Sequence, residues 1–174
     1  DYEHCVADLS EMEFRNCDVI SGLDVGFKDP TAFIVIVFDG EKYYVVEEYY
    51  EAEKTTEQHA EVIGEIMERR LVDYCFIDSA AQQTRFDLAQ NYDITTTNAK
   101  KSVNDGIAHI SSIVENDKLI IDQRCLETLR SLDQYRWDPN PNLMREKPLH
   151  DSSSHMADAL RYALYSFETN ATSF

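Results

Sequence analysis

Apolar positions along the chain fall into short runs and alternations first, then into helical spacing interleaved with further short runs. Residues 18–27 (DVISGLDVGF) read as a strand that ends in glycine-flanked turn chemistry, and Asp29-Pro30 marks a turn. Residues 31–38 (TAFIVIVF) are almost continuously apolar, the pattern of a buried central strand. Asp39-Gly40 signals a hairpin, so residues 42–50 (KYYVVEEYY) form a third, antiparallel strand. A helix follows, capped by Thr55 or Thr56 with Glu57 in its first turn, and places His59, Val62, Ile63, Ile66, Met67 and Leu71 on one face.

Residues 74–78 (YCFID) read as a short strand buried on both faces, 81–91 as a helix, and the β-branched 93–97 (DITTT) as a fifth strand. Residues 103–116 fit an amphipathic helix with Ile107, Ile110, Ile113 and Val114 together, 119–121 a short extended piece, and 125–135 a helix with Leu126, Leu129 and Leu132 inward. Residues 136–154 carry three of the four prolines and read as a loop, long enough to suggest function or motion. The last helix, 153–167, has a Ser cap and an apolar face of Met156, Leu160, Ala163, Leu164 and Phe167. Three strands, then strands alternating with helices, imply an α/β domain: a mixed central β-sheet with helices on both faces. The acidic residues 1–17 have no clear period and read as an interdomain linker, 18–168 as the domain, and 169–174 as a tail.

Composition narrows the class. The chain has 174 residues, 43% of them hydrophobic, enough for one domain with a core. No apolar run reaches the roughly 20 residues of a membrane span, and no charged-then-apolar leader opens the chain, which begins at Asp1 and reads as cut from something longer. Cys5, Cys17, Cys75 and Cys125 lie far apart without a CxxC pair, the pattern of reduced buried thiols, not of a zinc site or a disulfide framework. The net charge of −17 speaks against nucleic acid, but it is uneven. Residues 1–78 hold 20 acidic and 6 basic side chains, and residues 79–174 hold 13 and 10, so phosphate contacts belong to the second half.

Three aspartates stand where chemistry is possible. Asp24 ends the first strand between Gly22 and Gly26, Asp78 ends the strand 74–78, and Asp158 lies in the last helix. If those two strands are neighbours, Asp24 and Asp78 share one sheet edge, a usual place for sites. Clustered carboxylates need hard cations, and Mg²⁺ or Mn²⁺ suits their oxygens. Each also has a plain alternative: Asp24 as a turn former, Asp78 as a helix cap, and Asp158 as a solvated residue paired with Arg161 or Tyr162, since the helical wheel turns it away from the apolar stripe. Only docking by the helix flank, which the small Ala157 and Ala159 permit, would bring Asp158 to the sheet. His155, three residues earlier on the same side, is a candidate ligand or proton shuttle, or else a surface histidine. Lys100, Lys101, Arg145 and Lys147 could track a DNA backbone. No P-loop, GxSxG, HExxH or GxGxxG occurs.

Together GLDVGFKDPTA, FIDSAA, NAKKSVNDGI and KPLHDSSSHMADALRYAL resemble the nuclease domain of tailed-phage terminase large subunits, over about residues 18–167. The resemblance implies an RNase H-like fold and a carboxylate site for two Mg²⁺ or Mn²⁺ ions. Asp24, Asp78 and Asp158 would be its metal-binding acids with His155 beside them, Lys100 and Lys101 would lie near the substrate, and 136–151 would match a hairpin by the active site. It also implies an endonuclease that cuts concatemeric viral DNA during packaging in the cytoplasm of an infected bacterium. Its partners would be double-stranded DNA, an N-terminal packaging ATPase domain of the full-length chain, a small subunit and a portal, with no membrane. A resolvase- or transposase-type nuclease fits the three acids too. A non-catalytic acidic interaction domain fits the charge.

Overall fold

A computed structural model describes residues 2–26, 28–134 and 154–171. After a short 3-10 turn at Glu3–Cys5, the elements are β1 (Val6–Ala7), β2 (Asp18–Asp24), β3 (Thr31–Phe38), β4 (Tyr43–Glu51), α1 (Thr56–Arg70), β5 (Tyr74–Ile77), α2 (Gln82–Tyr92), β6 (Thr97–Asn98), α3 (Val103–Glu115), β7 (Leu119–Asp122), α4 (Leu126–Gln134) and α5 (Ser154–Ala171). The strands make one seven-stranded mixed sheet in the order β1-β7-β4-β3-β2-β5-β6. The expected α/β architecture, a mixed sheet with helices on both faces, is what the chain forms.

The apolar run of β3 takes its central place because both of its faces are covered. Ala32, Ile34 and Ile36 face a core built with α3, α4 and α5, and Phe33, Val35 and Val37 face a second core built with α1 and α2. β2 pairs antiparallel with β3 and parallel with β5, with Leu23 opposite Ile77. Alternation along the strands then decides where the strand-end acids go. Ile20 and Phe76 lie in the α5-side core, so Gly22, Asp24 and Asp78, at even spacing from them, take the α5 side as well.

α5 itself is buried almost all round: Met156, Ala157, Ala159, Leu160, Arg161, Tyr162, Ala163 and Leu164 are each at most 6% exposed. It packs so closely on β2 that a Cβ on Gly22 would overlap the Ala159 carbonyl group. Gly22 and Ala159 are thus the contact that lets the helix backbone approach the sheet.

Several expected elements shift. The segment 1–17, read as a linker, contributes β1, which pairs with β7, and buries Cys5 and Leu9. Asp122 is fully buried and holds it there by accepting from the Leu9 N–H at 3.0 Å and from Arg124. The fifth strand is only Thr97–Asn98, because Asp93 takes a left-handed conformation (φ 56°) at the end of α2 and Ile94 turns back to donate to the Leu88 carbonyl. Tyr74 is exposed, so β5 is covered on both faces only from Cys75 onward. Leu71, expected on the inward face of α1, is the left-handed cap of that helix and is 77% exposed. Leu126 is 67% exposed because Glu48 receives the N-terminal turn of α4 through the Glu127 and Thr128 N–H groups, which turns Thr128 and Ser131 inward beside Leu132, buried as expected. Thr55 does cap α1, with Gln58 completing the reciprocal pair of bonds.

The contrast between two glycines tests this packing. Gly22→Ala is expected to lower unfolding free energy by about 2–3 kcal/mol through backbone overlap. Gly64→Ala, where the new methyl meets only the Ile94 side chain at 3.7 Å, is expected to raise it by roughly 0.5–1 kcal/mol. Urea unfolding of the two variants reads both signs.

Candidate functional site

β2 and β5 run parallel and end together, so Asp24 and Asp78, each one residue beyond the Leu23–Ile77 pair, stand side by side at the carboxyl edge of the sheet. α5 crosses that edge and brings Asp158 and His155. The flank-docked geometry that the two alanines permit is the one adopted. Asp158 is therefore not a solvated residue, although it does pair with Arg161, at 3.2 Å.

Each carboxylate faces its own basic partner. His155 Nδ1 lies 2.9 Å from Asp24 Oδ2, and its Nε2 is 3.9 Å from Asp29 Oδ2. Lys101 Nζ is 2.5 Å from Asp78 Oδ1, which also accepts from the Ala80 N–H at 2.9 Å. Arg161 donates from Nη2 to Asp158 and from Nη1 to the Lys101 carbonyl, at 3.2 Å each. Tyr162, buried in the same turn of α5, feels the charge of Asp24, Asp158 and Asp78 together, and its phenol is held well above the usual range by burial and by those three acids.

The titration shifts follow from these pairs. Burial pushes the Asp158 carboxyl up, and the Asp24 charge adds to this while Arg161 and His155 oppose it. Burial acts upward on Asp78 too, but the Lys101 hydrogen bond, the Ala80 N–H and the charges of Lys101 and Arg161 outweigh it and hold the carboxyl below its ordinary value. The Asp24 hydrogen bond raises His155 above 6.5 against its burial, with the charges of Asp24, Asp29 and Asp158 adding to it.

The loop that carries the lysines is fixed at each residue. Ala99 N–H donates to the Ile77 carbonyl at 2.8 Å, Lys100 N–H to Ser166 Oγ at 2.9 Å, the Lys101 carbonyl accepts from Arg161, and Ser102 caps α3. Lys101 thus joins the acids, and both lysines are exposed. Arg145, Lys147 and the expected hairpin 136–151 lie outside the described residues. Three contributors were missed in the sequence: Asp29, read only as a turn signal, Arg161 as a fixed part of the site, and Ser166. The three-residue spacing of Asp158 and Arg161 was the signal for the second; nothing local marked Ser166.

The donor set, three carboxylates and an imidazole, suits hard divalent cations. Among the described residues, no three acidic, histidine or cysteine side chains are gathered closely enough to hold a metal ion. The chemistry fits such a group; each carboxylate is turned onto its basic partner.

Residues 21–167 match the family model described as terminase RNaseH-like domain. The chain belongs to this family. A terminase large subunit of Escherichia phage T5 is 46% identical over 154 residues, 86% of this chain and 35% of that protein, so the chain spans about a third of this relative's length. Among solved structures, the large terminase of a thermophilic bacteriophage in complex with ADP is 23% identical with a TM-score of 0.77, over 93% of this chain and 42% of that one. The nuclease domain of the bacteriophage SPP1 large terminase, with bound Mn, is 19% identical with a TM-score of 0.71, over 95% of both chains. The RNase H-like fold is therefore shown, and the terminase family takes the place of the resolvase- and transposase-type alternative. Among the described residues no helix is long and apolar enough to cross a membrane.

The histidines give a direct check on the electrostatics. His155 is raised, whereas burial lowers His59 and His109. NMR titration is expected to order them with His155 above and the other two below 6.5, and Asp24→Asn to move His155 down. With a raised folded value, His155 contributes stability that is full below about 6.5 and lost as pH rises through the folded pKa.

Proposed function

We propose that this domain is a metal-dependent DNA endonuclease that cuts concatemeric viral DNA during genome packaging. The observation that carries the reading is the meeting of Asp24, Asp78 and Asp158, from β2, β5 and α5, at one edge of the sheet in a terminase-family chain. Asp24, Asp78 and Asp158 would hold two Mg²⁺ or Mn²⁺ ions, with His155 as neighbour or further ligand. Such ions, when bound, supply an activated water and neutralise the leaving oxygen of the phosphodiester.

The protein's own groups set the rest. His155 orients the Asp24 carboxylate and holds a proton beside it. Asp78 is kept ionised, ready to bind a cation, by Lys101 and the Ala80 N–H. Lys101, paired with Asp78, would be free to meet a DNA phosphate if Asp78 were to hold a divalent cation instead, with Lys100 next to it in the chain. Arg145 and Lys147 would extend that contact along the backbone. Because such contacts carry no sequence information, low sequence preference is expected.

The net charge of −17 makes the isolated domain a weak DNA binder, so affinity would come from a tethered neighbour. The length of the T5 relative and the ADP bound by the thermophilic-phage terminase support an N-terminal packaging ATPase domain in the full-length chain. A small terminase subunit and a portal would be the other partners, in the cytoplasm of the infected bacterial host. The Mn in the SPP1 domain supports the choice of metal.

Supercoiled plasmid incubated with the domain is expected to be nicked and linearised with Mn²⁺ or Mg²⁺ and untouched with EDTA. Asp78→Ala is expected to reduce cleavage by about 10²–10³-fold. No cleavage at high protein and low salt with any of these metals would leave the acidic interaction domain as the better reading.

A further inference from the structure

Lys101 reaches Asp78 from a loop, and loops aim side chains poorly unless something holds them. Here the holding is done from α5, the helix that also supplies the third acid. Arg161 is 5% exposed and its guanidinium is shared between the Asp158 carboxylate and the Lys101 carbonyl. One turn further along, Ser166, fully buried, accepts from the Lys100 N–H. Two consecutive residues of the lysine loop are therefore bonded to two side chains of one helix.

The surrounding structure is shaped around this arrangement. Gly106 on α3 packs on the Arg161 stem so tightly that a Cβ there would lie 2.7 Å from Cγ and 2.8 Å from Cδ. The Arg161 guanidinium carbon lies 5.1 Å from the centroid of the Tyr162 ring. Among the described residues Arg161 Nε is buried without a hydrogen-bond partner, a cost accepted where the other two nitrogens are placed. A lysine at this position would keep the charge next to Asp158 but has no planar fork to serve a carboxylate and a carbonyl at once.

We propose that Arg161 and Ser166 are positioning residues: α5 carries a two-point mount for the 99–102 loop, which sets the Lys101 ammonium on Asp78 and ties its place to that of Asp158. The mount rests on the nuclease reading only for its effect on turnover. Its direct consequence, the protection of one lysine amine, needs neither metal nor DNA.

The test uses the 174-residue chain with Arg161→Lys and Ser166→Ala, and Asp78→Asn as the variant that removes the lysine's partner. Metal-free protein is labelled with a limiting amine-reactive ester, and Lys100 and Lys101 are followed separately by peptide mass spectrometry. In the wild type, Lys101 is expected to react roughly two- to fivefold more slowly than Lys100, the protection an ion pair of this exposure gives. In Asp78→Asn the two rates converge, and in Arg161→Lys and Ser166→Ala they are expected to move toward that limit. With Mn²⁺ and plasmid, Arg161→Lys is expected to lower kcat roughly 10- to 100-fold with KM for DNA little changed, and to lower it little further when combined with Lys101→Met.

Wild-type protection of Lys101 in the folded variants would overturn the mount, whatever happens to melting temperature or turnover. If Arg161→Lys does not fold, Ser166→Ala decides alone by the same ratio. Altered protection with no cleavage by the wild type would support the mount and sink the nuclease reading.

Discussion

The closeness of α5 to β2 is the constraint on which the rest depends. Packed layers of secondary structure normally stand roughly 8–10 Å apart, with side chains between. Here a glycine in the strand and an alanine in the helix bring the two backbones into contact. That contact draws Asp158, one residue from Ala159, to the sheet edge where Asp24 and Asp78 already stand. It also explains why the helix is apolar nearly all round, with Arg161 as its one buried basic side chain. A bulkier pair at this crossing would separate the acids by pushing away the element that supplies the third.

Three carboxylates brought together at a half-buried edge repel one another, and the fold answers with one basic partner for each. Lys101 and Arg161 are paired with Asp78 and Asp158, and the His155 imidazole lies against Asp24, which raises its pKa. On the proposed reading, binding a divalent cation would exchange these partners for the metal. The opposite shifts of Asp78 and Asp158 reflect the two limits of that balance: Asp78 has its lysine and a backbone N–H, whereas burial dominates at Asp158 despite Arg161.

Much of this was legible in the residues, and the exceptions have physical causes. The β3 run, the hairpin to β4 and the amphipathic helices followed from periodicity because those elements are covered in the regular way. The strand 93–97 failed because β-branched content says nothing about a left-handed Asp93 that folds the chain back on α2. The segment 1–17 looked featureless because two residues of β1 and one buried carboxylate, Asp122, suffice to tie it down, too few to make a period. At the site, Asp24 and Asp78 could be placed once the two strands were taken as neighbours. Asp158 could not be derived from its helical wheel, since the wheel assumes one buried face and α5 has no exposed residue from His155 to Ser166. The resemblance supplied that residue, and the geometry supplies the reason. Lys101 was noticed only as one of several cations; its pairing with Asp78 depends on bonds that span 60 and 66 positions of the chain, to Arg161 and Ser166.

The central claim is that these three acids form one divalent-metal site despite their separate partners. Crystals of the domain soaked in Mn²⁺ and measured at the manganese absorption edge address it directly. The expected result is anomalous density between Asp24, Asp78 and Asp158, with the Lys101 ammonium withdrawn from Asp78. Saturating Mn²⁺ that leaves the Lys101–Asp78 pair intact, with no anomalous peak among the three carboxylates, would contradict it.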